Sequence, residues 1–116
     1  MMNVKYEGNK VYINKNVLIK LKYNIYQLLE EDGNLYILLD IPHGKKLDYD
    51  DFHNIYCYSI DGQIKWQIGK RNLGDNVVYT MIRLKNNKLY ANDFLGRRYE
   101  VSKVTGTVNN NLTITK

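Results

Sequence analysis

Asn54-Ile55-Tyr56-Cys57-Tyr58-Ser59-Ile60-Asp61-Gly62-Gln63-Ile64-Lys65-Trp66-Gln67-Ile68 sets an Asp-Gly pair between two runs rich in β-branched and aromatic residues. That combination is the strongest short-range signal for a β-hairpin, because Asp-Gly accepts the positive φ angles a tight turn demands. With Asp61-Gly62 as a two-residue loop, Ile55 faces Ile68, Cys57 faces Trp66 and Ser59 faces Ile64. All six then point to one side. The other side sets Tyr56, Tyr58 and Ile60 against Gln63, Lys65 and Gln67, a wetter surface coated with tyrosine. The stretch holds no reactive group in a chemical arrangement.

Similar punctuation recurs about every 10–15 residues on both sides of this hairpin. Upstream, Asn3–Tyr6 and Lys10–Asn14 read as short strands around Glu7-Gly8-Asn9. Val17–Glu30 carries an apolar helical stripe, yet Ile19, Tyr23, Ile25 and Tyr26 favour extended structure, and Asn24 divides it into two strands. Leu35-Tyr36-Ile37-Leu38-Leu39 is apolar on both faces, which marks a strand covered on both sides. Ile41–His53 is a polar, irregular loop. Downstream, Gly69–Asn76 is a second loop, Val77–Leu84 and Lys88–Asp93 are strands about Lys85-Asn86-Asn87, and Phe94-Leu95-Gly96 is a three-residue turn. Arg97–Ser102 returns, Val104-Thr105-Gly106 turns, and Thr107–Thr115 is the last strand. The expected fold is all-β: one domain over residues 1–116, a single curved antiparallel sheet of roughly eight to ten strands in meander order, rolled into a sandwich or open barrel.

Composition narrows the class. The 116 residues are 44% hydrophobic and 25% charged with a net charge of +5, ordinary for a globular domain large enough to bury its own core. Eleven tyrosines are unusual; sheet propensity accounts for most of them, and interface enrichment is the alternative. No run of like charge reaches the length of a basic arm; the compact groups are Lys45-Lys46, Lys70-Arg71 and Arg97-Arg98. Cys57 is the sole cysteine, so no internal disulfide forms, and its place opposite Trp66 makes it a buried structural thiol. A reducing cytoplasm fits. The N-terminus lacks the apolar core of a signal peptide, and the longest apolar run, Leu35–Leu39, is far too short to span a bilayer.

Two resemblances add to this reading. Lys88-Leu89-Tyr90-Ala91-Asn92-Asp93 through Lys103-Val104-Thr105-Gly106 resembles the blade motif of quinoprotein-type β-propellers, and Asn54–Ile68 resembles it with Trp66 in the tryptophan place. A propeller needs at least four blades of ~40 residues, so this length does not close one. The segments Leu38–Pro42, Asn54–Ile68 and Lys88–Gly106 together resemble small single-domain bacterial proteins, some of which look like immunity proteins of toxin and contact-dependent growth inhibition systems. That resemblance implies a protein partner, a toxin domain, and carries no catalytic motif.

Candidate sites follow from the loops. Asp48, Asp50 and Asp51 with His43 and His53 offer oxygen and imidazole ligands, but the spacing lacks the glycine and closing glutamate of an EF-hand. A solvated acidic loop is the expectation, with Tyr49 and Phe52 interleaved for docking. Ser59 and Ser102 lack a nucleophile context, and the Gly69 and Gly74 region lacks phosphate-loop spacing. The expected protein is therefore a non-catalytic binding module without cofactor or metal, contacting its partner through Asp48, Tyr49, Asp50, Asp51 and Phe52, with Lys70 and Arg71 second. Inhibitors of basic nucleases are usually acidic, so at +5 either the acidic loop serves locally or the target is acidic. The alternative is a small barrel that binds single-stranded nucleic acid through Tyr56, Tyr58 and Lys65 above Lys70 and Arg71. A third option is a homo-oligomer joined through a sheet edge.

Overall fold

The computed structural model describes residues 3–72, 74–109 and 113–114. Its strands divide into three antiparallel sheets, each in simple meander order. The first holds β1 (Val4–Glu7), β2 (Lys10–Ile13) and β3 (Asn16–Lys20). The second holds β4 (Ile25–Glu31), β5 (Asn34–Leu39), β6 (Ile55–Ser59) and β7 (Ile64–Gln67). The third holds β8 (Tyr79–Lys85), β9 (Lys88–Asp93), β10 (Arg97–Val101) and β11 (Thr113–Ile114).

The all-β class and the meander hold. The single rolled sheet does not, and β5 supplies the physical reason. Its alternate residues Leu35, Ile37 and Leu39 join one apolar cluster with Val11, Ile19 and Leu21 of the first layer. Tyr36 and Leu38 join another with Ile82, Leu89, Ala91, Tyr99 and Val101 of the third. A strand apolar on both faces needs cover on both. Two separate sheets stacked on the second provide it.

Val17–Glu30 is extended, with the chain leaving β3 and re-entering β4 across residues 21–24. The last expected strand is shorter than Thr107–Thr115. Val108 makes an isolated bridge to Val101 and Thr113–Ile114 pair with β10, while 110–112 and 115 lie outside the described residues.

The central hairpin keeps Cys57 opposite Trp66 and Tyr56 opposite Gln67. Its turn is one residue longer than expected. Ser59 N–H donates to Gln63 O (2.8 Å), Gly62 N–H to Ser59 O (3.0 Å), and Gly62 sits at φ +92°. This is a three-residue loop with glycine in the left-handed position. The extra residue creates a bulge next to Tyr58, so Ile64 and Lys65 both face water and Ile64 does not join the core.

The turns sort to two ends. Short ones occupy one end, where Ile60 N–H donates to Gly33 O and Lys103 reaches both Glu31 and Asn87. The long loops gather at the other. Asp40 N–H donates to Asn24 O, Phe94 N–H to Val78 O, and Arg97 Nη2 to Gly74 O. Among the described residues no helix is long and apolar enough to cross a membrane.

Candidate functional site

The expected contact loop contains one helical turn, α1 (Tyr49–Phe52), that the strand reading missed. Asp48 caps it. Asp51 N–H donates to Asp48 Oδ1 (2.9 Å) and Asp48 N–H donates back to Asp51 Oδ2 (3.1 Å). The spacing Asp48-x-x-Asp51 is a carboxylate form of the capping box, legible in the sequence with hindsight of the rule. Lys45 and Lys22 close on the Asp51 carboxylate at 3.1 and 3.4 Å. Burial alone would raise the pKa of Asp51, but the Asp48 backbone bond and those from Lys45, Tyr23 and Lys22 overcome it and hold it at about 2. Asp51 is therefore a buried clamp, 1% exposed, and not the contact residue expected of it. Clamping it turns its neighbours outward: Tyr49 is 58% exposed, Asp48 and Asp50 are exposed, and Phe52 is half-buried.

His53 fixes the turn from below. Its ring lies 4.1 Å from that of Tyr49, centroid to centroid. Nδ1 is 2.6 Å from Tyr49 O, and Nε2 is 3.0 Å from the Asp75 carboxylate. Both partners are acceptors, so both bonds form only when both ring nitrogens carry hydrogen. Asp75 is held below the ordinary carboxylate range: burial pushes it up, but the Arg71 backbone N–H and the adjoining His53 outweigh that.

Arg71 is the second correction. Expected on an exposed rim, it is 3% exposed. Its guanidinium lies 4.2 Å from the centre of the Tyr79 ring, pairs with Asp75 and Asp93 at 3.4 Å each, and donates to Phe52 O and Val77 O. Asp93 also receives Arg97 Nε at 2.8 Å and the backbone N–H groups of Leu95 and Arg97. These two carboxylates consequently tie three loops, 48–53, 69–78 and 93–97, into one body. Lys70 remains exposed beside it. The two segments expected to make contact are thus neighbours, with Asp48, Tyr49, Asp50 and Lys70 presented and Asp51 and Arg71 supporting.

Three residues of this end escaped the sequence reading: Tyr26, Phe94 and Leu95, exposed by 61%, 68% and 61%. Phe94-Leu95 stands where a hairpin turn ordinarily places polar residues, and that anomaly was available as a signal. Tyr26 had none, because a bulge in β4 between Ile25 and Gln27 turns it out. A cavity of about 220 Å³ runs between Tyr26, Ile41, His43, Thr80 and Phe94. It adjoins one of about 280 Å³ that shares Ile41, His43, Val78 and Phe94. Opposite Tyr26, β8 bulges between Tyr79 and Met81, so both strands flanking this groove carry an irregularity. Bulges commonly re-aim side chains beside binding sites.

The tyrosines expected on the outer face of the central hairpin are only partly accessible. Tyr56 and Tyr58 pack half-buried against the cluster shared with the first sheet. Cys57 stands as expected, fully buried, with desolvation pushing its thiol up to about 11. Among the described residues no three His, Cys, Asp or Glu side chains converge as a metal-binding group.

Residues 1–112 match the family described as Domain of unknown function (DUF7957), and the chain belongs to that family. No curated protein matches it. Among solved structures it is similar to a crystal structure of the computationally designed Ika8 protein, at 13% identity and a TM-score of 0.41. The likeness covers 90% of this chain and 46% of that one, so this chain spans about half the length of the designed protein.

Proposed function

We propose that this member of the family is a non-catalytic protein-binding module that acts in the cytoplasm by seating a cognate bacterial toxin domain on its loop end. The observation that carries the reading is the set of exposed apolar side chains on that end. Tyr49, Phe94 and Leu95 stand out from backbone that is already tied down by Asp51, Asp75 and Asp93. Binding surfaces gain most from aromatic anchors that need no ordering on contact, and loops on a rigid scaffold are where such anchors sit. Asp48 and Asp50 beside Tyr49, with Lys70 nearby, add charge of both signs at the rim. That mixture suits register and selectivity more than raw affinity. The toxin as partner rests on the resemblance to immunity proteins, and a reduced, buried Cys57 accords with a reducing compartment.

The test is to read the neighbouring reading frame for a toxin-like C-terminal domain, whose absence would itself count against the assignment, and to co-express this chain with it. A co-purifying complex and loss of toxicity are expected. Tyr49→Ala and Phe94→Ala should each weaken the complex by tenfold or more, about 1.4 kcal/mol, with unfolding midpoints close to the parent's. Failure to co-purify, or a complex indifferent to both changes, would overturn the assignment.

A further inference from the structure

The outer face of the third sheet departs from an ordinary wet surface. Ile82, Leu89, Ala91, Tyr99 and Val101 point into the core. Strand alternation therefore turns Met81, Arg83 and Lys85 of β8, Lys88, Tyr90 and Asn92 of β9, and Arg98 and Glu100 of β10 outward. The register sets Arg83 and Glu100 on either side of Tyr90, Met81 and Arg98 on either side of Asn92, and Lys85 directly across from Lys88. Four cations thus share one face with a single carboxylate. Lys88 pairs with Glu100 at 3.6 Å, which leaves Arg83, Lys85 and Arg98 without a carboxylate among the described residues. A face that needed only to stay wet would do so at lower cost with mixed signs, because like charges placed directly opposite destabilise a sheet.

We propose that this face binds single-stranded nucleic acid, with a base stacked on Tyr90 and the flanking phosphates held by Arg83, Arg98 and Lys85. Tyr90 is half-buried, with the Arg83 guanidinium directly across on β8 and the Arg98 guanidinium diagonal to it on β10, while Glu100, its direct neighbour on β10, is occupied by Lys88. Such a face suits an extended strand, whose bases are free to stack and whose phosphates run alongside. An acidic protein surface would use the cations and leave Tyr90 without a task. The site is separate from the loop end, so either assignment can fail alone.

The experiment is fluorescence anisotropy of the full chain with a labelled oligothymidylate of about 15 nucleotides across a salt series. Three neutralised phosphates give an expected slope of log affinity against log salt of about −2. Combining Arg83→Gln with Arg98→Gln should bring the slope to about −0.7. Tyr90→Leu should lower affinity about tenfold with the slope unchanged, and Tyr90→Trp should retain binding. Circular dichroism checks that each variant is folded, and Tyr90→Trp carries the stacking test if Tyr90→Leu is not. The proposal falls if no salt-dependent binding is seen. It falls equally if polyglutamate competes as well as the oligonucleotide, which would assign the face to an acidic protein, or if duplex binds as tightly with Tyr90 silent.

Discussion

Gly106 packs its backbone directly against the Trp66 ring, forty residues away in sequence. Gly106 sits at φ +76°, and a Cβ there would stand 2.5 Å from the indole ring. The indole Nε1–H donates to Lys103 O at 2.9 Å, a bond that opposes displacement of the ring. Replacement by alanine combines left-handed strain with overpacking. Gly106→Ala should cost about 2–4 kcal/mol, read as a fall in the denaturant midpoint. A loss below about 1 kcal/mol would mean that the ring moves aside. The Cys57–Trp66 pairing was visible in the sequence because period-two alternation about one turn determines it. The glycine across the ring was visible only as a turn signal, since its partner lies forty residues upstream.

At the scale of elements, α1 and the hairpin turn show where local reading succeeds and where it stops. Asp61-Gly62 announced the turn, but its length depends on a bulge that only the partner strand reveals. Asp48, Tyr49 and Asp50 read as exposed polar loop and are exposed. Asp51 reads the same way and is buried, because Lys22, from the link between β3 and β4, and Lys45, earlier in the same loop, close on it in three dimensions. The same holds for Arg71, whose partner Asp93 is supplied by β9. Asp51 makes the difference measurable. Its folded-state pKa, about 2, lies below the usual value of 3.8, so its contribution is complete above that value and vanishes as pH falls through about 4 toward 2. Urea unfolding across that range should show a loss on the order of 2 kcal/mol in the parent that Asp51→Asn, already weaker at neutral pH, does not share. Equal acid sensitivity in both would place the titration elsewhere.

For the molecule as a whole, the joint between the second and third sheets is made by side-chain amides in place of a strand ladder. Asn54 accepts from Tyr79 N–H and donates to Tyr79 O and Leu39 O, each at 2.9 Å. Gln27 repeats the arrangement three residues along β8, accepting from Ile82 N–H and donating to Ile82 O. Each carboxamide stands in for the backbone of a missing neighbour strand. Asn54 is buried, so Asn54→Ala should cost about 3 kcal/mol or more, and half-buried Gln27→Met about 1 kcal/mol. Native-state hydrogen exchange should report faster exchange at Tyr79 and Ile82 respectively; unchanged protection at both would show that apolar packing alone holds the joint. No sequence pattern marks these two amides, because what they replace is a contact between strands far apart in the chain.

The outermost layers have a consequence for assembly. In the first sheet alternation turns Lys5, Lys10 and Lys20 outward with a single carboxylate, Glu7, and Lys10 lies directly across from both Glu7 and Lys20. Both ends of the stack are therefore positive, and a second molecule arriving to extend it would meet a surface of its own sign. Face-to-face stacking is opposed by a repulsion that reaches about 8 Å at physiological ionic strength, and concentrated salt is the condition expected to weaken that opposition.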